Sequence, residues 1–160
     1  MLDKDFVLTV VPRWADIDPN QHMRHSAFAD WAAYVRTEWL NTNGLDMQKL
    51  MELKVAPIMF EENVKYFKEV LLGDRITIEL QLAGTNDDAS RWLLRHTFRR
   101  GATVCAVSEA KGAWFNIVTR RIAPPPRGLL EAFANIVRTD DYVDLGSKES
   151  VTHATDEDAG

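Results

Sequence analysis

Six polar, reactive side chains fall between positions 16 and 25: Asp16, Asp18, Asn20, His22, Arg24 and His25. A helical pattern starts directly after them, and a helix N-terminus offers unpaired backbone N–H groups and a partial positive charge. Such a terminus can hold an oxyanion. A carboxylate a few residues away can attack a bound carbonyl or take a proton from water. Histidine can donate a hydrogen bond or carry a proton near neutral pH. Together these parts suit acyl transfer, because attack on a carbonyl builds negative charge on its oxygen. The same letters also spell an ordinary loop. Asp-Pro and Asn favour Asx turns and caps, loop histidines are commonly satisfied by neighbours, and Arg24 reads most simply as a solvated side chain. On residue types alone both readings stand.

Several elements must hold this segment. Residues 6–13 (FVLTVVPR) are apolar and β-branched and predict a strand. Phe28, Trp31, Ala32, Val35 and Trp39 recur at spacings of three and four, which predicts a helix with one buried face. Ser26 is the expected N-cap, and Asn43-Gly44 the stop. Ala33 and Tyr34 widen the apolar surface, so other structure should wrap this helix. A short helical turn is expected over Met47 to Leu53, ahead of Pro57.

The second half alternates at the strand period. In residues 75–82, Ile76, Ile78, Leu80 and Leu82 share one face and Thr77, Glu79 and Gln81 the other. Gly73-Asp74 and the Gly84 to Asp88 stretch are turn signals. Strands follow over 90–99 and 102–118, with Gly112 marking a bulge or kink. Pro124 to Pro126 ends the sheet, and Leu129, Leu130 and Phe133 predict a short last helix. The order is a strand, a long helix, then four consecutive antiparallel strands, an α+β arrangement with one sheet around one helix. Residues 1–140 read as a single domain. Residues 141–160 read as an acidic tail, polar from about Gly146 and expected to be disordered.

The net charge of −5 is uneven: the chain from Asp140 onward carries −6, leaving +1 for the remainder. That is not a nucleic-acid binder's footprint. No apolar run reaches the roughly 18 residues of a membrane helix, and the N-terminus reads as a strand, not a signal peptide. The single cysteine, Cys105, sits in an apolar run and suits a buried structural thiol in a reducing, cytoplasmic setting. His22, His25, His96 and His153 show no zinc spacing, and no cofactor is implied.

The stretch RWADIDPNQHMRHSAFADWAAYVRTEWL resembles the start of the 4-hydroxybenzoyl-CoA thioesterase-like branch of the hotdog thioesterases. Asp16 and Asp18 match that family's paired aspartates, the second being its catalytic carboxylate. His25 matches the histidine of an aromatic-His-x-x-aromatic element, with Phe28 at its last position, and Arg36-Thr37-Glu38 matches a helix signature. Glu62 to Tyr66, Gly73-Asp74, Trp114-Phe115 and the proline-rich exit recur in order, so the resemblance spans roughly residues 6–136. Two departures stand out. Asn20-Gln21-His22 is closer to the acyl-ACP thioesterase branch, and Arg24 replaces the usual aromatic.

The resemblance implies a hotdog fold, with an antiparallel five-stranded sheet wrapped around a long central helix. It implies hydrolysis of an acyl-CoA, or an acyl-ACP, by Asp18 as nucleophile or general base, with His25 or His22 assisting at the helix N-terminus. Asn20, Trp14, Arg24 and Glu62 are then assigned to substrate binding, and Trp14 or Trp92 could line an aromatic acyl pocket. Lys65, Lys68, Arg91, Arg95 or Arg99 could meet CoA phosphates. A homodimer or homotetramer is expected, with the site between protomers. Two rivals are a non-catalytic acyl-CoA-binding domain and a dehydratase. The latter needs an acid and a histidine on the helix, whose interior has no histidine.

Overall fold

The computed structural model describes residues 5–146. The elements in chain order are β1 (Phe6–Val10), a 3₁₀ turn (Trp14–Asp16), α1 (His25–Thr42), α2 (Met47–Glu52), β2 (Val55–Tyr66), β3 (Ile76–Thr85), β4 (Arg91–Arg100), β5 (Thr103–Asn116), β6 (Arg121–Ile122), α3 (Arg127–Ala134) and β7 (Arg138–Asp144). β3, β4 and β5 form an antiparallel meander. β1 lies against β3, and β2 crosses to the far side of β5, giving the order β1-β3-β4-β5-β2. This is the expected five-stranded sheet of the hotdog fold, lengthened by two short strands: β6 pairs with β5 and β7 with β3.

The strand period puts Ile76, Ile78, Leu80 and Leu82 of β3 on the inner face, all buried, where each contributes about 1.5–3 kcal/mol relative to exposure. α1 lays Ala27, Phe28, Ala32, Val35 and Trp39 against this face. Phe28 is central: its ring meets Phe98 of β4 and Tyr66 of β2 edge-on, both at 5.2 Å. α1 is therefore pinned near its N-terminus, the end that must be placed if it is to do chemistry.

Some expectations change. α1 starts at His25 and its N-cap is Arg24 in extended conformation, whose side chain makes no capping bond. Ser26 lies inside the helix, its hydroxyl taken by the Arg24 guanidinium. Proline lacks an N–H, yet Pro57 sits within β2 because β2 is the sheet's edge. The bulge expected at Gly112 lies on the facing strand. Met59 pairs with Gly112 and Glu61 with Lys111, so Phe60 of β2 is the extra residue. Gly112 is required for a different reason: a Cβ there would sit 2.3 Å from the Ile58 carbonyl oxygen and 2.3 Å from the Trp92 ring.

The boundary between 140 and 141 cuts through β7. That strand runs parallel to the end of β3, and Asp141 on it takes a two-pronged ion pair from Arg95 at 2.7 and 2.9 Å. Paired backbone and a paired carboxylate keep this acidic segment in the domain. Residues 147–160, where the rest of the expected tail falls, lie outside the described residues.

Candidate active site

Residues 17–23 fold back on themselves as a tight loop between the 3₁₀ turn and α1. Asp18 N donates to His22 O at 2.8 Å and Gln21 N to Asp18 O at 2.9 Å. The turn needs a left-handed residue, and Gln21 adopts it at φ 64°. The loop is tied to the segment after β2 by Met23 N donating to Val70 O at 2.7 Å and by a bridge between His22 and Leu71.

The two aspartates have separate tasks. Asp16 is wholly buried. Its Oδ2 accepts from Arg13 N at 2.8 Å, Arg13 Nε at 3.1 Å and Trp31 Nε1 at 3.1 Å, and its Oδ1 from Arg13 Nη2 at 2.8 Å. Burial alone would raise its pKa, but the Arg13 hydrogen bonds and charge, with the Trp31 indole, hold it below the usual carboxylate value. Both oxygens are spent on positioning. Asp18, half-buried, uses only Oδ1, which accepts from Asn20 N at 2.9 Å and His22 N at 3.1 Å. Its Oδ2 has no partner among the described residues.

Asp18 lies where two depressions meet. One, of about 370 Å³, is walled by His22, His25, Phe28, Tyr66, Lys68 and Glu69 among others. The other, of about 740 Å³, is bounded by Trp14, Ile17, Pro19, Gln21, Leu71 and Leu72. Trp14 is 82% exposed here, and Leu71 and Leu72 are exposed beside it, so this second surface is openly apolar. At the start of α1, Ala27 N takes the Arg24 carbonyl at 3.0 Å. With no capping side chain, the N–H groups of His25 and Ser26 have no acceptor among the described residues.

The fold thus gathers Asp18, His22 and His25 around one depression and brings Trp14 to the adjoining one. Asn20 contributes its backbone N–H to Asp18. Arg24 is placed otherwise: its guanidinium donates to Ala15 O at 3.1 Å, to Ser26 and to Asp30 at 3.1 Å, clamping the loop onto α1. Glu62 is also elsewhere. It lies 3.9 Å from the Arg36 guanidinium of α1, and neither depression includes it. Of the basic candidates only Lys68 lines the polar depression, while Arg95 is consumed by Glu109 and Asp141.

Tyr66 enters the sequence reading only as the end of a family landmark, yet it lines the depression and its hydroxyl donates to the His25 carbonyl at 3.2 Å. Only the strand pairing that ends β2 beside the helix start reveals it. His96 has no role in the sequence reading beyond its lack of zinc spacing. It occupies the inward phase of β4 with Trp92, Leu94 and Phe98, and a polar side chain at an apolar phase was the available signal. It is completely buried, and burial first, then the nearby Arg36 charge, lowers its pKa to about 3.

Residues 12–133 match the thioesterase-like superfamily. No curated protein sequence matches the chain. Among solved structures, the hypothetical protein SAV2348 from Staphylococcus aureus in complex with CoA superposes with a TM-score of 0.77 at 21% identity, covering 99% of this chain and 98% of its own. Slr0204, a 1,4-dihydroxy-2-naphthoyl-CoA thioesterase from Synechocystis, gives 0.72 at 18% identity, over 82% of this chain and 96% of its own. The gentisyl-coenzyme A thioesterase BH1999 gives 0.68 at 20%, over 80% and 98%. At such identities these superpositions establish the hotdog fold. With the family match spanning most of its length, the chain belongs to the thioesterase-like superfamily.

Proposed function

We propose that this protein hydrolyses an acyl-CoA thioester to a free acid and CoA, with Asp18 as nucleophile or general base. The observation that carries the reading is the state of the Asp18 carboxylate. Two backbone N–H groups fix one of its oxygens, the other is unpartnered, and an uncapped helix start lies across the same depression. The carbonyl oxygen of a bound thioester would accept from the His25 and Ser26 N–H groups as charge develops on it. Asp18 Oδ2 would attack the carbonyl carbon or take the proton of an attacking water. His22 or His25 would donate to the departing thiolate. The apolar surface around Trp14, Leu71 and Leu72 suits an acyl group, and Lys68 suits a CoA phosphate.

A homodimer or homotetramer belongs to the same reading. β2 is the sheet's edge and exposes Met59 and Phe60, and Tyr34 is exposed on α1. Among the described residues no helix is long and apolar enough to cross a membrane. The buried unpaired thiol of Cys105 suits a reducing, cytoplasmic setting.

The test is thiol release across a panel of short, long, branched and aromatic acyl-CoAs, with wild type and Asp18→Asn run side by side. Release by wild type and not by the variant supports the assignment. Equal release by both removes Asp18 from the chemistry. No release from any acyl-CoA moves the reading to an acyl-ACP substrate or a binding-only domain.

A further inference from the structure

A third cavity, of about 250 Å³, opens between the C-terminal half of α1 and the sheet. Its walls are apolar, built from Trp39, Trp92, Trp114, Leu40, Met59 and neighbours, and they include one cation, Arg36. Arg36 lies about 16 Å along α1 from His25 at about 1.5 Å of rise per residue, well away from Asp18 in the protomer.

Two features of Arg36 set this cavity apart from a packing void. The Arg36 side chain is only 16% exposed, yet its ion-pair partner Glu62 stands at 3.9 Å, beyond hydrogen-bond reach. Its one contact within that reach among the described residues is with His96 Nε2 at 3.5 Å, which leaves the rest of its N–H donors unspent there. Buried donors are ordinarily paired, and each one left alone is costly. A guanidinium with unspent donors beside an apolar space of this size calls for a compact apolar body carrying a planar anionic acceptor. Carboxylate matches the guanidinium fork. The volume falls below the range of about 300–1,000 Å³ typical of larger ligands, which disfavours long chains.

We propose that this cavity binds a small apolar carboxylic acid, its carboxylate on Arg36 and its body against Trp39, Trp92 and Trp114. Hydrolysis of a thioester releases such acids, so the site would report product level. That consequence rests on the proposed activity, whereas binding of the acid does not.

Three tryptophans in the wall make intrinsic fluorescence the readout. The full chain is titrated with sodium benzoate, sodium isovalerate and, as neutral control, benzamide, at constant ionic strength. The proteins are wild type, Arg36→Met, Arg36→Lys, Trp92→Phe and Asp18→Asn. Saturable change with at least one carboxylate is expected. Benzamide on wild type and the carboxylate on Arg36→Met should bind about 10- to 100-fold more weakly. Arg36→Lys should recover part of the affinity, Trp92→Phe should lose part of the signal, and Asp18→Asn should bind as wild type does. Absence of saturable change with either carboxylate overturns the proposal, as does equal affinity for benzoate and benzamide. That last comparison uses wild type only, so it decides even if an Arg36 variant fails to fold. Binding without thiol release from any acyl-CoA would keep this site and remove the proposed activity.

Discussion

Asp16→Asn and Asp18→Asn should fail in opposite ways, although they make the same change two residues apart. In Asp16→Asn the amide nitrogen must replace one of two oxygens that both accept. Its least damaging orientation puts NH₂ where Oδ1 was, facing Arg13 Nη2, and keeps an oxygen for Arg13 N, Arg13 Nε and Trp31 Nε1. One charge-assisted bond is lost outright and the others keep only a neutral acceptor. A hydrogen bond to a charged group is worth about 1.5–3 kcal/mol, and the exposed Arg13 can return to water, so the net cost is about 2–3 kcal/mol. For a chain of this length that lowers Tm by about 4–12 °C. In Asp18→Asn the side-chain oxygen can still accept from Asn20 N and His22 N, and NH₂ occupies the unpartnered position. Its cost should stay within about 1 kcal/mol. Calorimetry and thiol release on the same preparations test this. Asp16→Asn should melt early and, below its transition, turn over within about tenfold of wild type, whereas Asp18→Asn should melt normally and lose about 10²–10⁴ in rate. The Asp16 pKa is lowered on folding, so its stabilisation is complete above about pH 4 and fades as pH falls through the folded value. The gap between Asp16→Asn and wild type should therefore narrow in acid. If Asp16→Asn melts with wild type, or Asp18→Asn melts as early as Asp16→Asn, this division of labour is wrong.

His96 titrates at about 3 when folded and near its ordinary 6.5 when unfolded. The unfolded chain thus takes up the proton first, and stability should decline as pH falls below 6.5, by at most about 1.4 kcal/mol per unit. Urea midpoints between pH 6.5 and 4.5 should slope in wild type and flatten in His96→Leu; parallel slopes would refute this. Gly112→Ala should cost about 3 kcal/mol or more, because its Cβ would overlap the Ile58 carbonyl and the Trp92 ring at 2.3 Å. Gly128→Ala, with nothing within 4 Å, should leave Tm unchanged or slightly raised; equal melting of the two alanine variants would contradict the packing argument.

The parts of the fold legible in the sequence were those written in periodicity. Phe28, Ala32, Val35 and Trp39 mark one face of α1, and Ile76 to Leu82 mark the inner face of β3, because burial on one side imposes the period directly. What stayed hidden depended on partners distant in the chain. Nothing in DDYVD announces a strand, and β7 forms because the end of β3 has an open edge and Arg95 offers a counter-charge to Asp141. Ser26 looked like the better cap by residue type, but the loop sets the helix start earlier, through Arg24 N donating to Asp16 O at 2.7 Å.

The candidate site shows the same division more sharply. Residue type alone leaves Asp16 and Asp18 equivalent; the family resemblance favours Asp18, and the fold gives the physical difference, because burial falls on Asp16. Asp16 faces Trp31 across the first turns of α1 and gives up both oxygens to hold the loop. That loop in turn carries Asp18 to the depression with one oxygen unspent. Arg24, which the family resemblance assigns to substrate binding, reinforces the frame by tying Ala15 to Asp30. A reactive carboxylate held by backbone N–H groups needs such a frame, since two hydrogen bonds on an open turn would not fix it alone. The buried aspartate therefore serves the proposed chemistry through the stability of the frame that holds Asp18, and it acts entirely through position.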